Sequence, residues 1–143
     1  MKKYHGVLLA LSPFFVYGIL SIPGYAYEIL KLFFTEFNSF NNYLGSTAQG
    51  IWIVSVWFFP LAIPMLQYTK NLFRLWLAPL NILGLTLGNI IIYCLSCFFD
   101  EMGQWFVLWI IILILAFSAI SNIILSIIYI VKNTNKKQLD QQI

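Results

Sequence analysis

Two cysteines in a C-x-x-C arrangement are the side chains of this sequence best suited to redox chemistry. Cys94 and Cys97 lie near the end of a long apolar stretch, and the chain has no other cysteine. Two thiols at this spacing can cycle between a dithiol and a disulfide. Acidic Asp100 and Glu101 follow this pair, in place of the nearby cation that favours a reactive thiolate. We therefore favour two small side chains of a membrane helix over a redox pair.

Small and amide side chains on two apolar stretches could form either a polar site or a close helix contact. At about 100° per residue, Asn81, Gly84 and Gly88 share one helix face, with Asn89 at its border. Glycines four residues apart let two helices approach closely, and amides can form hydrogen bonds across the gap. The next stretch carries a matching polar stripe: Ser118, Ser121, Asn122, Ser126 and Tyr129.

The two polar stripes are predicted to match in depth, because the stretches that carry them run antiparallel. Counting from the ends of the stretches places Asn81 opposite Ser126 and Asn89 opposite Ser118. We favour packing between helices as the role of these residues. The alternatives are a polar pore or ligand cavity and a homo-oligomer contact through the glycines.

The titratable residues indicate neither a metal site nor a catalytic one. His5 is the single histidine, and one histidine without nearby carboxylates or thiols does not bind a metal. The middle of every apolar stretch is free of Asp, Glu, Lys, Arg and His, which argues against ion-coupled transport. We predict no catalytic residue, no metal and no cofactor.

Four apolar stretches, at 6–22, 50–68, 76–99 and 105–131, must position these side chains. The chain of 143 residues is 61% hydrophobic and 9% charged. The stretches are close to the ~20 residues that a helix needs to cross a bilayer. Lipid offers no partner for exposed backbone groups, so helices are expected. We predict an all-α, integral membrane four-helix bundle in a single domain, 1–143.

The charges predict the orientation of this bundle. Seven of the eight basic residues fall at one end of the stretches: Lys2, Lys3, Lys70, Arg74, Lys132, Lys136 and Lys137. Acidic residues fall at the other end, together with Lys31: Glu28, Glu36, Asp100 and Glu101. Basic loops stay in the cytoplasm, so we expect both termini inside a bacterial inner membrane. The net charge of +3 suits anionic lipid headgroups, not nucleic acid.

The two longest regions outside the spans are an external segment, 25–49, and a cytoplasmic tail, 132–143. The first span is expected to stay uncleaved and to end near Pro23, with an amphipathic helical piece over 25–37. A single kinked helix over 7–37 is the alternative. The segment is rich in aromatic residues, which suits a lid on the bundle or a recognition surface. A capping box is expected at 46–49, and the tail is expected to be a frayed helix end.

In architecture alone, this chain resembles several kinds of small membrane protein. Membrane thiol oxidoreductases are four-helix bundles with an outer C-x-x-C, as at Cys94 and Cys97. Immunity proteins against pore-forming bacteriocins, and the membrane component of the Kiwa phage-defence system, are also small multi-span proteins. A holin-like pore former is a further alternative.

The interpretation that we favour is a non-enzymatic sensor or anchor subunit of a host-defence system. We expect it to contact membrane lipid, a second copy of itself and a cytosolic protein partner. The expected partner contacts are Lys70, Arg74, Lys132, Lys136 and Lys137. In the immunity alternative, the face with Gly84 and Gly88 would dock a toxin helix.

Overall fold

The computed structural model describes residues 2–33, 54, 57–96 and 101–140. This part of the chain contains four helices and no strand, which confirms the all-α prediction. The helices are α1 (Lys2–Phe33), α2 (57–69), α3 (Leu77–Ser96) and α4 (Glu101–Asp140). Within the described residues, two helical segments are long and apolar enough to cross a membrane, Leu77–Cys94 and Trp105–Lys136, and Tyr4–Ile19 is a shorter apolar one.

The first helix is longer than predicted. It continues through Pro13 and Pro23 to Phe33, so the predicted break near Pro23 is wrong and the single-helix alternative fits α1. A proline removes one backbone donor and its ring crowds the carbonyl four residues earlier, which disfavours the interior of a helix without forbidding it. The rest of the predicted external segment, including the capping box at 46–49, lies outside the described residues.

The last helix also extends past its predicted end at residue 131. It runs to Asp140, a length of 40 residues and about 60 Å. The predicted frayed tail is therefore helical up to that residue. No proline or glycine follows Gly103, so nothing in the sequence stops the helix where the apolar residues give way to polar ones.

A tight turn joins α2 to α3 and is fixed by backbone hydrogen bonds. The carbonyl oxygen of Gln67 accepts from the N–H groups of Leu72 and Phe73, at 2.8 and 2.9 Å. Asn71 has a φ of 54° in the left-handed region, which asparagine tolerates better than most residues, and its N–H donates to the Tyr68 carbonyl. The turn therefore closes on the last turn of α2.

Close contact between α1 and α3 depends on two glycines. A Cβ added to Gly84 would overlap the carbonyl oxygen of Ala10. A Cβ added to Gly88 would lie 2.5 Å from Cδ2 of Tyr17 and 2.9 Å from the carbonyl oxygen of Pro13. The backbones of the two helices thus approach as closely as small residues permit. α3 also packs on α4.

Candidate functional site

Three carboxamide side chains meet inside the bundle, one each from α2, α3 and α4. Gln67, Asn81 and Asn122 are at most 2% exposed. Gln67 Nε2 donates to Asn81 Oδ1 at 3.0 Å, and Asn81 Nδ2 donates back to Gln67 Oε1 at 2.9 Å. Asn81 Nδ2 also donates to Asn122 Oδ1 at 2.8 Å. We call these three residues the amide network.

The amide network reaches backbone groups at both of its ends. Gln67 Nε2 also donates to the carbonyl oxygen of Gly6 on α1, at 3.0 Å. Asn122 Nδ2 donates to the carbonyl oxygen of Ser118 one turn earlier on α4, at 2.9 Å. The network therefore connects all four helices at one level. A buried hydrogen bond contributes only about 0.5–1.5 kcal/mol net, whereas a buried partner left unsatisfied costs more, so the network favours the one helix register in which all three amides are paired.

The hydrogen-bond partner of Asn81 on α4 lies one helical turn away from the residue predicted by counting from the ends of the apolar stretches. Asn81 faces Asn122, whereas the count had placed it opposite Ser126, which is only partly buried. Sequence reasoning also missed Gln67. Its signal was available, since it is the only Asn or Gln in the stretch 50–68.

Two further buried polar side chains lie outside the amide network. Asn89 and Tyr17 are fully buried. Neither the amide atoms of Asn89 nor the hydroxyl of Tyr17 has a hydrogen-bond partner within the described part of the chain. Asn89 therefore forms no hydrogen bond with Ser118, the residue that the count from the ends of the stretches placed at its level. The Tyr17 ring packs with Ile114 and meets Phe59 edge-to-face at 5.7 Å.

The expected partner-contacting cations lie at one end of the helices. Lys70, Arg74, Lys132 and Lys136 are exposed, and we call these four residues the basic end. The side chain of Lys137 is outside the description. Arg74 and Lys132 line one pocket of about 250 Å³, which Lys70 and Lys136 do not line. Of the four residues of the basic end, Arg74 and Lys132 therefore share a pocket, whereas Lys70 and Lys136 lie outside it.

Only one of the two cysteines, Cys94, is among the residues that the structure describes. Cys94 is a free, exposed thiol near the end of α3, and Cys97 lies outside the described residues. Within the described residues, no three His, Cys, Asp or Glu side chains are grouped as metal ligands. The redox role of Cys94 and Cys97 therefore stays a prediction from their spacing.

The chain was compared with protein families, curated proteins and solved structures. No protein-family model, no curated protein and no solved structure matches this chain.

Proposed function

We propose that this chain is a non-enzymatic subunit of the bacterial inner membrane that holds a cytosolic protein at its basic end. In this proposal, the chain forms a bundle of four membrane spans with both termini in the cytoplasm, and it acts as the sensor or anchor of a host-defence system. One observation carries it. Beyond its apolar part, α4 continues as a polar helix to Asp140, and its described side chains from Lys132 onward, which include two residues of the basic end, are exposed.

The distribution of side chains supports a membrane location. Polar amides occupy the interior, and large apolar side chains cover the outside of α4 and α2. Those at least 45% exposed include Trp57, Phe58, Leu61, Met65, Ile112, Leu113, Phe117, Ile120, Ile123, Ile124, Ile127 and Ile128. A soluble monomer rarely exposes so continuous an apolar surface. Lipid tails would cover it without cost.

The length of α4 supports the cytosolic docking role. A helix of about 60 Å exceeds the ~30 Å hydrocarbon core, so part of α4 must extend outside it. The polar part begins at Lys132, and its described side chains are exposed. This exposed polar helix is a surface to which a cytosolic partner can bind. The sensing role of segment 25–49 rests on its aromatic composition.

The structure gives less support to docking through the glycines. Gly84 and Gly88 are buried against α1, so this face is already occupied within the chain. A toxin helix or a second copy of the chain would have to use another face. This observation places the immunity alternative below the subunit proposal.

The orientation can be tested by cysteine labelling in spheroplasts. In a Cys94→Ser, Cys97→Ser background, we expect Lys70→Cys and Lys136→Cys to react with a membrane-impermeant maleimide only after permeabilisation. Trp105→Cys, at the opposite end of α4, is the matched control and should react in intact spheroplasts. Labelling of either basic-end cysteine from outside would contradict the proposed orientation.

The partner role can be tested by shortening α4. Deleting 134–143 keeps Lys132 and Asn133 but removes the last two turns of α4. From native membranes, we expect the full chain to purify in a fixed ratio with one cytosolic protein and the shortened chain to purify alone. Ile128→Ala, on the apolar outer face, is the control and should keep the partner. A full chain that purifies without a partner would overturn the proposal.

A further inference from the structure

We propose that the pocket shared by Arg74 and Lys132 binds a phosphate group, with an anionic phospholipid headgroup as the source that its position favours. The pocket lies between the α2–α3 turn and α4. The inference rests on the proposed membrane location but not on the proposed cytosolic partner.

The lining of the pocket suits phosphate. Arg74 and Lys132 supply two positive charges, and Asn71 and Asn133 contribute carboxamide groups that can donate hydrogen bonds. Guanidinium matches the geometry of phosphate oxygens with two parallel donors, and ammonium adds a point charge. At about 250 Å³, the pocket is small, on the scale of a headgroup. Its chemistry is thus that of a compact anion site.

The positive charge of the pocket is not neutralised by its own lining. No Asp or Glu is among the described residues that line it. The five carboxylates of the sequence are Glu28, Glu36, Asp100, Glu101 and Asp140, so none lies between residues 37 and 99. Asp140 is on the same helix as Lys132 but eight residues, about two turns, further along. An external anion is therefore the natural counter-charge.

Aromatic packing holds the pocket in shape. The buried ring of Phe73 lies 6.3 Å from the Tyr68 ring and 5.6 Å from the Tyr129 ring. Lys132 Nζ sits over the Tyr68 ring at 5.7 Å, which positions its charge. The Phe73 N–H is bonded to the Gln67 carbonyl oxygen, so the floor of the pocket is fixed to α2. A site that is already formed loses little entropy when an anion binds.

Apolar side chains beside the pocket point to a lipid as the source of the phosphate. Leu75 and Trp76 follow Arg74 in the turn, and Ile128 and Val131 precede Lys132 and flank Tyr129 on α4. All four of these apolar side chains are at least 45% exposed. In the proposed orientation they lie at the cytoplasmic interface, where basic pockets between helices bind anionic headgroups. Acyl chains would lie on these apolar side chains while the phosphate enters the pocket.

The test uses native mass spectrometry of the purified full chain in detergent. We expect bound phosphatidylglycerol to survive at voltages that strip phosphatidylcholine. The pair Arg74→Gln and Lys132→Gln should lower phosphatidylglycerol binding by about tenfold or more. The pair Lys70→Gln and Lys136→Gln removes the same charge outside the pocket, so its binding should stay close to that of the full chain. Lys132→Arg keeps the charge and should keep most of the binding.

The outcomes distinguish a lipid headgroup from free phosphate as the ligand, and they distinguish failure of the phosphate site from failure of the proposed cytosolic partner. Phosphatidylglycerol binding that millimolar inorganic phosphate does not displace supports the lipid source. Pocket-dependent binding of inorganic phosphate alone supports the site but with a soluble source. Equal binding of both lipids, or equal loss in the two charge pairs, would overturn the site. The chain lacking 134–143 should still bind phosphatidylglycerol, so loss of the partner leaves this inference standing.

Discussion

Replacing Gly84 with alanine is expected to prevent α1 and α3 from reaching their native separation. The new Cβ would overlap the carbonyl oxygen of Ala10, and this backbone atom cannot rotate away as a side chain can. Overpacking typically costs about 1–3 kcal/mol, and we expect the upper part of this range or more because backbone must move. Thermal unfolding in detergent, followed by circular dichroism, and the monodisperse yield would measure the loss.

Gly18→Ala is the matched control for this prediction. The new Cβ at Gly18 would come no closer than 3.9 Å to its nearest neighbour, Cδ1 of Ile91, which is ordinary van der Waals contact. Both substitutions gain the same helix propensity, about 1 kcal/mol, so their difference isolates the contact between helices. We expect Gly18→Ala to match or exceed the stability of the unchanged chain. Equal stability of the two variants would show that α1 and α3 do not meet at Gly84.

Asn81→Leu should produce the second large effect, because Asn81 is the centre of the amide network. Leucine keeps the bulk but removes all three hydrogen bonds of Asn81, leaving Asn122 Oδ1 and Gln67 Oε1 without this donor. A buried group left unsatisfied costs about 1–3 kcal/mol. We expect a loss of this size in the free energy of unfolding, measured by denaturant titration in mixed micelles.

Ser121→Ala is the control, because it removes a side-chain hydrogen bond that lies within one helix and does not connect two helices. The Ser121 hydroxyl donates to the Phe117 carbonyl oxygen on its own helix, at 2.7 Å, so its loss should barely change stability. A second check is the double variant of Asn81→Leu with Gln67→Leu. It should lose less than the sum of the single losses, because the unpaired Gln67 oxygen is gone. Additive losses would show that the two amides act independently.

The four helices could be predicted from the sequence because apolar stretches of membrane length are a strong signal. The shared face of Asn81, Gly84 and Gly88 also followed from helical spacing. The glycines then proved to face α1, which their own spacing could not reveal, since it identifies a face but not its neighbour. The pairing of Asn81 was misplaced by one turn, because counting from the ends of the stretches ignores how the helices are offset. Gln67 was missed because it lies near the end of its stretch, where a polar residue needs no explanation.

Gln67 holds two parts of the bundle at once, one through its backbone and one through its side chain. Its carbonyl oxygen holds the α2–α3 turn, while its side chain holds Gly6 on α1 and Asn81 on α3. The closure of the turn and the position of α1 therefore share one residue. Because α1 is one helix from Lys2 to Phe33, about 48 Å at 1.5 Å per residue, no loop separates the end bonded to Gln67 from its far end. One glutamine thus links the last turn of α2 to the turn that follows it, to α1 and to α3.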